Sequence, residues 1–158
     1  MTKTILHLDA SNRVSGSHSR AASKRAVEAL VKEHNGATVV HRDVSELPGL
    51  PNGAMDVWFG GETTAEQDEL LKRSNDLVAE VQSADIVVIG SPIYNFGPST
   101  GLKAWIDNVA RYGITFEYVD GVPVGQLKGK RAVVLVSSGG TKVDSKRDHH
   151  TPWIRTAL

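Results

Sequence analysis

Four short apolar runs alternate along the chain with longer stretches of helical periodicity. The runs occupy residues 4–8, 38–41, 86–89 and 132–136. The last two are apolar without alternation, which is typical of strands covered on both faces of a sheet. Strands that alternate with helices in this way predict an α/β protein with a parallel sheet.

Three helices are predicted between these strands, because apolar residues recur there at spacings of three and four. They span about 19–35, about 63–82, and a third stretch that begins at 99 or 100 and extends to at least 109. Two possible capping boxes open the second helix: Thr63 with Glu66, or Thr64 with Gln67.

The remaining segments carry turn residues. Asp120-Gly121 lies between Phe116-Glu117-Tyr118 and Val122, and this predicts a type I′ hairpin. Residues 44–62 are rich in glycine and proline and are predicted to form a loop. Residues 137–150 are polar and irregular, and 152–158 can begin one more helix.

Composition narrows the class of partner. The 158 residues fit one domain over residues 1–158, and 18 basic residues balance 18 acidic ones. A chain without net charge has no field to attract nucleic acid or an anionic membrane, so small-molecule partners are expected. With no cysteine, no signal peptide and no apolar stretch of about 20 residues, we expect a cytoplasmic protein.

Ligands of open parallel sheets bind beyond the carboxyl ends of the strands, so the loops that follow the strands are the places to search. The first loop, 11–19, is rich in serine and leads into a helix whose free N–H groups can hold a phosphate. It lacks GxGxxG and GK[ST], which argues against a resident dinucleotide or ATP hydrolysis. Taken alone, its serines more often cap a helix.

Two more loops share this predicted edge. Loop 91–99 combines aromatic residues, two prolines and glycine, and it can present backbone amides to a flat heterocycle. Tyr94 and Phe96, taken alone, are as often ordinary packing residues. Loop 137–140 ends in two glycines, which allow close approach of backbone to a ligand. Together the three loops favour a bound flavin mononucleotide.

The stretch SPIYNFGPSTGLKAWIDNVARYGITFEY, at 91–118, and GQLKGKRAVVLVSSGG, at 125–140, closely resemble the FMN-dependent NAD(P)H azoreductases and quinone reductases. The opening strand followed by Ser17-His18-Ser19 shares the resemblance, which extends from residue 3 to the last residue. The family usually has methionine in place of Ile93 and a basic residue in place of Ser138. Neither difference is expected to abolish binding.

The resemblance implies a set of cofactor-binding residues. Ser11, Ser17, His18 and Ser19 would lie at the phosphate and ribityl end, Ile93, Tyr94, Asn95 and Phe96 along the isoalloxazine ring, and Ser137, Ser138, Gly139 and Gly140 at its pyrimidine side. No catalytic side chain is expected, because the flavin carries the chemistry. Tyr118, Trp58 and Phe59 would line the acceptor cleft or a dimer contact, with packing in the core equally expected.

The resemblance also implies a flavodoxin-like sheet of order 2-1-3-4 in a homodimer that passes hydride from NAD(P)H to FMN and then to a quinone or azo compound in alternation. A fifth strand and a final helix of the family are expected to be missing after 151–158, and their absence would expose apolar surface.

Three alternatives stay open. A flavodoxin-type electron carrier shares the fold but usually has an acidic surface. A receiver-like signalling domain would need an aspartate where this chain has Ser91. A truncated, non-catalytic domain is the third.

A metal site is not expected. His149-His150 with Asp144 and Asp148 lacks the spacing of a ligand set, and a solvated loop is favoured there. His7 is expected to be a packed or hydrogen-bonded residue of its strand.

Overall fold

The computed structural model describes residues 2–60 and 64–158. The elements are β1 (Thr4–Asp9), α1 (His18–Glu33), β2 (Thr38–Asp43), α2 (Ala54–Gly60), α3 (Ala65–Ser83), β3 (Ile86–Pro92), α4 (Thr100–Val109), β4 (Phe116–Val119), β5 (Val122–Gly125), β6 (Arg131–Ser137) and α5 (His150–Ala157). Within these two ranges, no helix has the length and apolar character needed to cross a bilayer.

Four strands form one parallel sheet in the order β2-β1-β3-β6. This confirms the predicted order 2-1-3-4, since β6 is the fourth strand of the predicted series. Every residue of β3 is buried, as its continuous apolar sequence predicted. The sheet is therefore covered on both faces around its centre.

Alternating side chains of β1 divide the core into two layers. Leu6 and Leu8 pack with residues of α3, α4 and α5, whereas Ile5 packs on the opposite face with residues of α1. Successive side chains of a strand point to opposite faces, so one short strand contributes to both layers. The helix α1 thus packs against this face of β1, β3 and β6.

The helix starts follow the predicted capping residues. Thr64 caps α3 and forms the capping box with Gln67, with both of its hydrogen bonds present. The alternative box begins at Thr63, which lies outside the described residues. Ser99 accepts a hydrogen bond from the N–H of Leu102 and caps α4.

Of the predictions for the remaining segments, one is wrong in part and one is confirmed. The prediction of a loop over 44–62 is wrong for Ala54–Gly60, which forms α2. This short helix is stabilised by packing of Ala54 and Val57 against Leu71 of α3, a tertiary contact that its glycine-rich flanks concealed. The predicted last helix is confirmed as α5.

The predicted hairpin is confirmed as the two-stranded sheet of β4 and β5. Its turn residues have the positive φ angles that a type I′ turn requires, 52° at Asp120 and 78° at Gly121. The hairpin stands apart from the parallel sheet and is mostly exposed.

The first turn of α4 lies directly against the chain that follows β2. A Cβ on Gly101 would overlap the carbonyl oxygen of Val44, which is part of the backbone. Only glycine permits this approach, and it fixes α4 and the loop before it against the sheet.

We expect Gly101→Ala to lower the free energy of unfolding by about 2–3 kcal/mol, because the methyl group forces backbone apart in a packed core. Alanine is otherwise the better helix residue, so the sign of the change tests the contact. Urea unfolding measures it. Gly125→Ala, where the added Cβ meets open space, is the control and should change stability little.

Candidate ligand-binding site

Direct hydrogen bonds join the three predicted loops at the carboxyl edge of the sheet. The hydroxyls of Ser11 and Tyr94 lie 3.2 Å apart, which links the first loop to the second. The N–H of Ile93 donates to the carbonyl of Ser137 at 2.7 Å, which links the second loop to the third. The three segments therefore form one continuous surface rather than separate turns.

In the first loop, serine side chains surround the start of α1. Ser17 caps the helix by accepting from the N–H of Arg20 at 3.3 Å, and its hydroxyl lies 3.3 Å from that of Ser19. Ser11, Ser17 and Ser19 are all buried, whereas His18 is exposed. The N–H groups of the first helical turn have no preceding carbonyl to bond, so this end of α1 is suited to an anion.

The second loop is a tight turn that holds two aromatic side chains outward. Tyr94 and Gly97 exchange backbone hydrogen bonds at 2.9 and 3.0 Å. Between them Asn95 and Phe96 both have positive φ angles, 47° and 73°. Such angles are costly for a bulky residue and are found at functional sites. Phe96 is 50% exposed and Tyr94 36%, while Ile93 behind them is buried.

The third loop leaves room beside the sheet edge. A Cβ at Gly139 or Gly140 would meet no atom within 4 Å. Ser138 turns its hydroxyl to the carbonyl of Thr141 and is thereby directed along its own loop. The backbone at these two glycines is therefore open to close approach by a ligand.

The start of α5 supports the second loop. The N–H of His149 donates to the carbonyl of Phe96 at 2.9 Å. Asp148 caps the helix by accepting from the N–H groups of His150 and Thr151 at 3.0 and 2.9 Å. Burial would raise the pKa of Asp148, but hydrogen bonds from Thr151, Asp144 and His150 lower it to about 2.

The solvated-loop interpretation of this segment is therefore wrong for Asp148 and His150, which are both buried. Helix capping and packing against Trp153 bring them inside, and neither effect shows in a run of polar letters. Burial lowers the pKa of His150 against the opposing effect of Asp148.

A polar cluster that the sequence analysis did not identify lies beneath the first loop. Asp9, at the end of β1, is 3.0 Å from His41 Nε2, 3.0 Å from the hydroxyl of Ser23 and 3.5 Å from His7 Nε2. His7 is hydrogen-bonded to Ser23 at 2.9 Å, as expected for a histidine of a buried strand. An open cleft of about 490 Å³ lies against this cluster.

The cluster keeps Asp9 ionised. Burial raises its pKa, but the hydrogen bonds from His7, His41 and Ser23 outweigh burial and hold the pKa well below its usual range. In the described ranges, His7, Asp9 and His41 are also the one group with the spacing of metal ligands. The guanidinium of Arg20, 3.6 Å from the Asp9 carboxylate, already supplies positive charge there.

The predicted cleft residues lie elsewhere. Trp58 is partly buried against the small cluster of α2 and α3, with the guanidinium of Arg111 4.8 Å over its ring. Tyr118 is 57% exposed on the hairpin. The side chain of Phe59 lies outside the described residues. None of the contacts described for Trp58 or Tyr118 joins them to the three loops.

The sheet order and the gathering of three loops at its carboxyl edge define the class, a doubly wound α/β protein, and this edge is where proteins of that class bind their ligands. The model of the family described as "Flavodoxin-like fold" matches residues 3–158. The chain is similar to FMN-dependent NADH:quinone oxidoreductase 1 of Jannaschia sp. (strain CCS1), with 45% identity over 98% of this chain and 80% of the relative.

A second relative, the FMN-dependent NADH:quinone oxidoreductase of Thiobacillus denitrificans, is 41% identical over 98% of this chain and 76% of its own length. Among solved structures, an azoreductase from Bacillus anthracis superposes with a TM-score of 0.81 at 27% identity, covering 99% of this chain and 80% of the other. The chain belongs to the flavodoxin-like family, within its group of FMN-dependent NADH:quinone oxidoreductases and azoreductases.

We expect Asp9→Asn to cost about 2 kcal/mol of stability at neutral pH, because the amide cannot accept the charge-assisted bonds that Asp9 receives. The folded pKa lies below the unfolded value of 3.8, so the contribution of Asp9 is present above that pH and is lost as the pH falls below it. Urea unfolding of both proteins between neutral and acid pH measures the difference.

The control is Asp120→Asn in the exposed hairpin turn, where asparagine also tolerates the positive φ. That variant should follow the parent protein at every pH. A difference between Asp9→Asn and the parent that does not shrink in acid would contradict the assignment of an ionised Asp9.

Proposed function

We propose that the carboxyl-edge site binds FMN non-covalently and that the protein passes electrons from NAD(P)H through this flavin to quinones or azo compounds. The two-electron transfers alternate, with NAD(P)H and acceptor using the site in turn. The names of the relatives support the activity. The observation that carries the assignment to this site is the direct hydrogen bonding of all three loops at one edge.

The residues at this edge match the chemical parts of FMN. The start of α1, with Ser11, Ser17 and Ser19, offers hydroxyls and N–H groups for the phosphate and the ribityl chain, and His18 stands exposed beside them. Open space at Gly139 and Gly140, beside Ser137 and Ser138, is suited to the edge of a planar ring.

The second loop supplies the wall of the site. Ile93 is buried behind it, and the exposed rings of Tyr94 and Phe96 provide a polarisable surface for an isoalloxazine ring, with the polar side chain of Asn95 exposed between them. FMN, when bound, supplies the redox chemistry, and the protein supplies position and electrostatics. No acid or base side chain is assigned a catalytic role.

We propose in addition that the protein is a homodimer. The hairpin and the segment before it expose an apolar surface, made of Tyr112, Ile114, Tyr118, Val119 and Val122, each at least 40% exposed. The ring of Tyr118 packs against that of the partly buried Phe116, with 5.7 Å between the ring centroids. Clustered exposed aromatic residues on a small two-stranded sheet favour association.

A dimer would give Tyr118 a role at an acceptor cleft, as the resemblance implied, without contact to the loops of its own chain. We propose the same role, at an acceptor cleft formed in the dimer, for Trp58 and Phe59. A cytoplasmic location is also proposed, supported by the absence of cysteine from the sequence.

FMN titration tests the site. The purified protein should take up added FMN and become yellow, and it should then oxidise NADH in the presence of p-benzoquinone or an azo dye. The double variant Ser17→Ala/Ser19→Ala should bind FMN at least about tenfold more weakly, because two hydroxyl donors are lost. A colourless protein that takes up no added FMN contradicts the proposal.

Ser17 is also a helix cap, so its loss weakens α1 itself. Thr64→Ala removes an equivalent cap from α3, away from the three loops, and serves as the matched control. Its FMN dissociation constant should stay within about twofold of the parent value.

Sedimentation velocity tests the dimer. Tyr118→Lys/Val122→Lys places two charges on the exposed apolar surface, and burial of such charges is unfavourable, so a dimer should dissociate to monomers. Val39→Lys, at an exposed position of the edge strand β2, is the control and should sediment like the parent. A parent protein that sediments as a monomer at all concentrations would exclude the homodimer.

A further inference from the structure

The first turn of α1 contains a basic residue where the helix dipole disfavours one. Arg20 is the third residue of the helix, and this turn has no acidic side chain. A cation at a helix N-terminus is electrostatically unfavourable, since the dipole is positive there. The side chain is nevertheless well packed, with 16% of its surface exposed. Its contacts explain what compensates the unfavourable position.

The guanidinium of Arg20 reaches back across the first loop to the end of β1. Two of its nitrogens, Nε and Nη2, donate to the carbonyl of Ser11 at 3.1 and 2.6 Å. Nη2 also lies 3.4 Å from the hydroxyl of Ser45. One side chain thus ties the first residue of loop 11–19 to the helix that ends the loop.

Two carboxylates hold the guanidinium in this orientation. Nη1 lies 2.7 Å from Asp43 and 3.6 Å from Asp9, at the ends of the two neighbouring strands β2 and β1. Hydrogen bonding to Asp43 raises the pKa of Arg20 against the effect of burial. The hydroxyl of Ser23 completes the connection, because it lies 3.0 Å from both Asp9 and the carbonyl of Arg20 and can donate its one proton to either.

We propose that Arg20 is a positioning residue for phosphate recognition: it holds loop 11–19 in its ligand-binding shape through the Ser11 carbonyl, with Asp9 and Asp43 fixing its guanidinium. The loop is then ordered before the ligand arrives, so binding does not pay the entropy of ordering it. The proposal deepens the assignment of the FMN phosphate to this loop and rests on it.

The position of Arg20 makes the effect specific to one end of the ligand. The hydrogen bonds and ion pairs of its guanidinium are with Ser11, with Ser45 just after β2, and with Asp9 and Asp43 at the ends of β1 and β2. Its described interaction with the ring loops is electrostatic, with Tyr94, and it has no described hydrogen bond or ion pair with loops 91–99 and 137–140. A ligand with the same ring but no phosphate should therefore be almost indifferent to Arg20.

FMN and riboflavin, which lacks only the phosphate, are the two probes. In Arg20→Gln the FMN dissociation constant should rise about tenfold or more, while that of riboflavin should stay within about twofold. Arg20→Lys should recover only part of the FMN affinity, because an ammonium cannot bridge the carbonyl and both carboxylates at once. Fluorescence quenching measures both ligands, and thermal unfolding is recorded for each variant.

Arg42→Gln is the matched control. Arg42 pairs with Glu80 and has no described contact with the loop, so its loss should leave the preference for FMN over riboflavin unchanged. If Arg20→Gln does not fold, Asp43→Asn replaces it, because it removes the negative charge closest to the guanidinium. A selective loss of FMN binding in that variant supports the proposal.

Equal weakening of both ligands, or no weakening of either, would overturn the role of Arg20 and make it a residue of general stability. A parent protein that binds neither ligand is a different result, since it removes the FMN assignment itself. A parent that binds riboflavin as tightly as FMN rejects the phosphate site while leaving the ring site in place.

Discussion

The candidate site depends on the parallel, in-register pairing of β1, β3 and β6. Asp9 pairs with Gly90, and Pro92 pairs with Ser137, so the three strands end at one edge. The loops that follow these strands therefore lie next to one another at that edge. The hydrogen bond from the N–H of Ile93 to the carbonyl of Ser137 continues the pairing of β3 and β6 into the site. A register slip of one residue would turn every following side chain to the other face and separate the loops.

Close packing of α1 on the sheet brings the serine-rich first loop into place. A Cβ on Gly90 would lie 2.6 Å from the hydroxyl of Ser23 and 2.9 Å from the carbonyl of Ser19. The glycine of the central strand therefore lets the first turn of α1 approach the backbone of β3. The same approach puts Ser23 within reach of Asp9, so packing and the polar cluster have a common cause.

The resemblance implied the strand order, whereas periodicity predicted the parallel sheet and the main helices, because their stability comes from the burial of apolar residues. Periodicity failed for α2, which depends on contacts with α3, and for the buried Asp148 and His150, which depend on capping and packing. The loops of the site followed from strand order and resemblance. The cluster around Asp9 could not be predicted in this way, because its members come from β1, β2 and α1. His41 lies beside Asp9 only because of the register between β1 and β2.

The charges beneath the first loop explain why a cation stands where the helix dipole opposes it. Asp9 and Asp43 end adjacent strands directly under a helix N-terminus that is otherwise suited to an anion. Two uncompensated carboxylates would repel a phosphate at that helix, and low local polarity would strengthen the repulsion. Arg20 lies between them and neutralises one charge, while hydrogen bonds from His7 and His41 stabilise the charge of Asp9. The ion pairs of Arg20 with Asp9 and Asp43 offset its unfavourable interaction with its own helix, and the same contacts fix the shape of the loop.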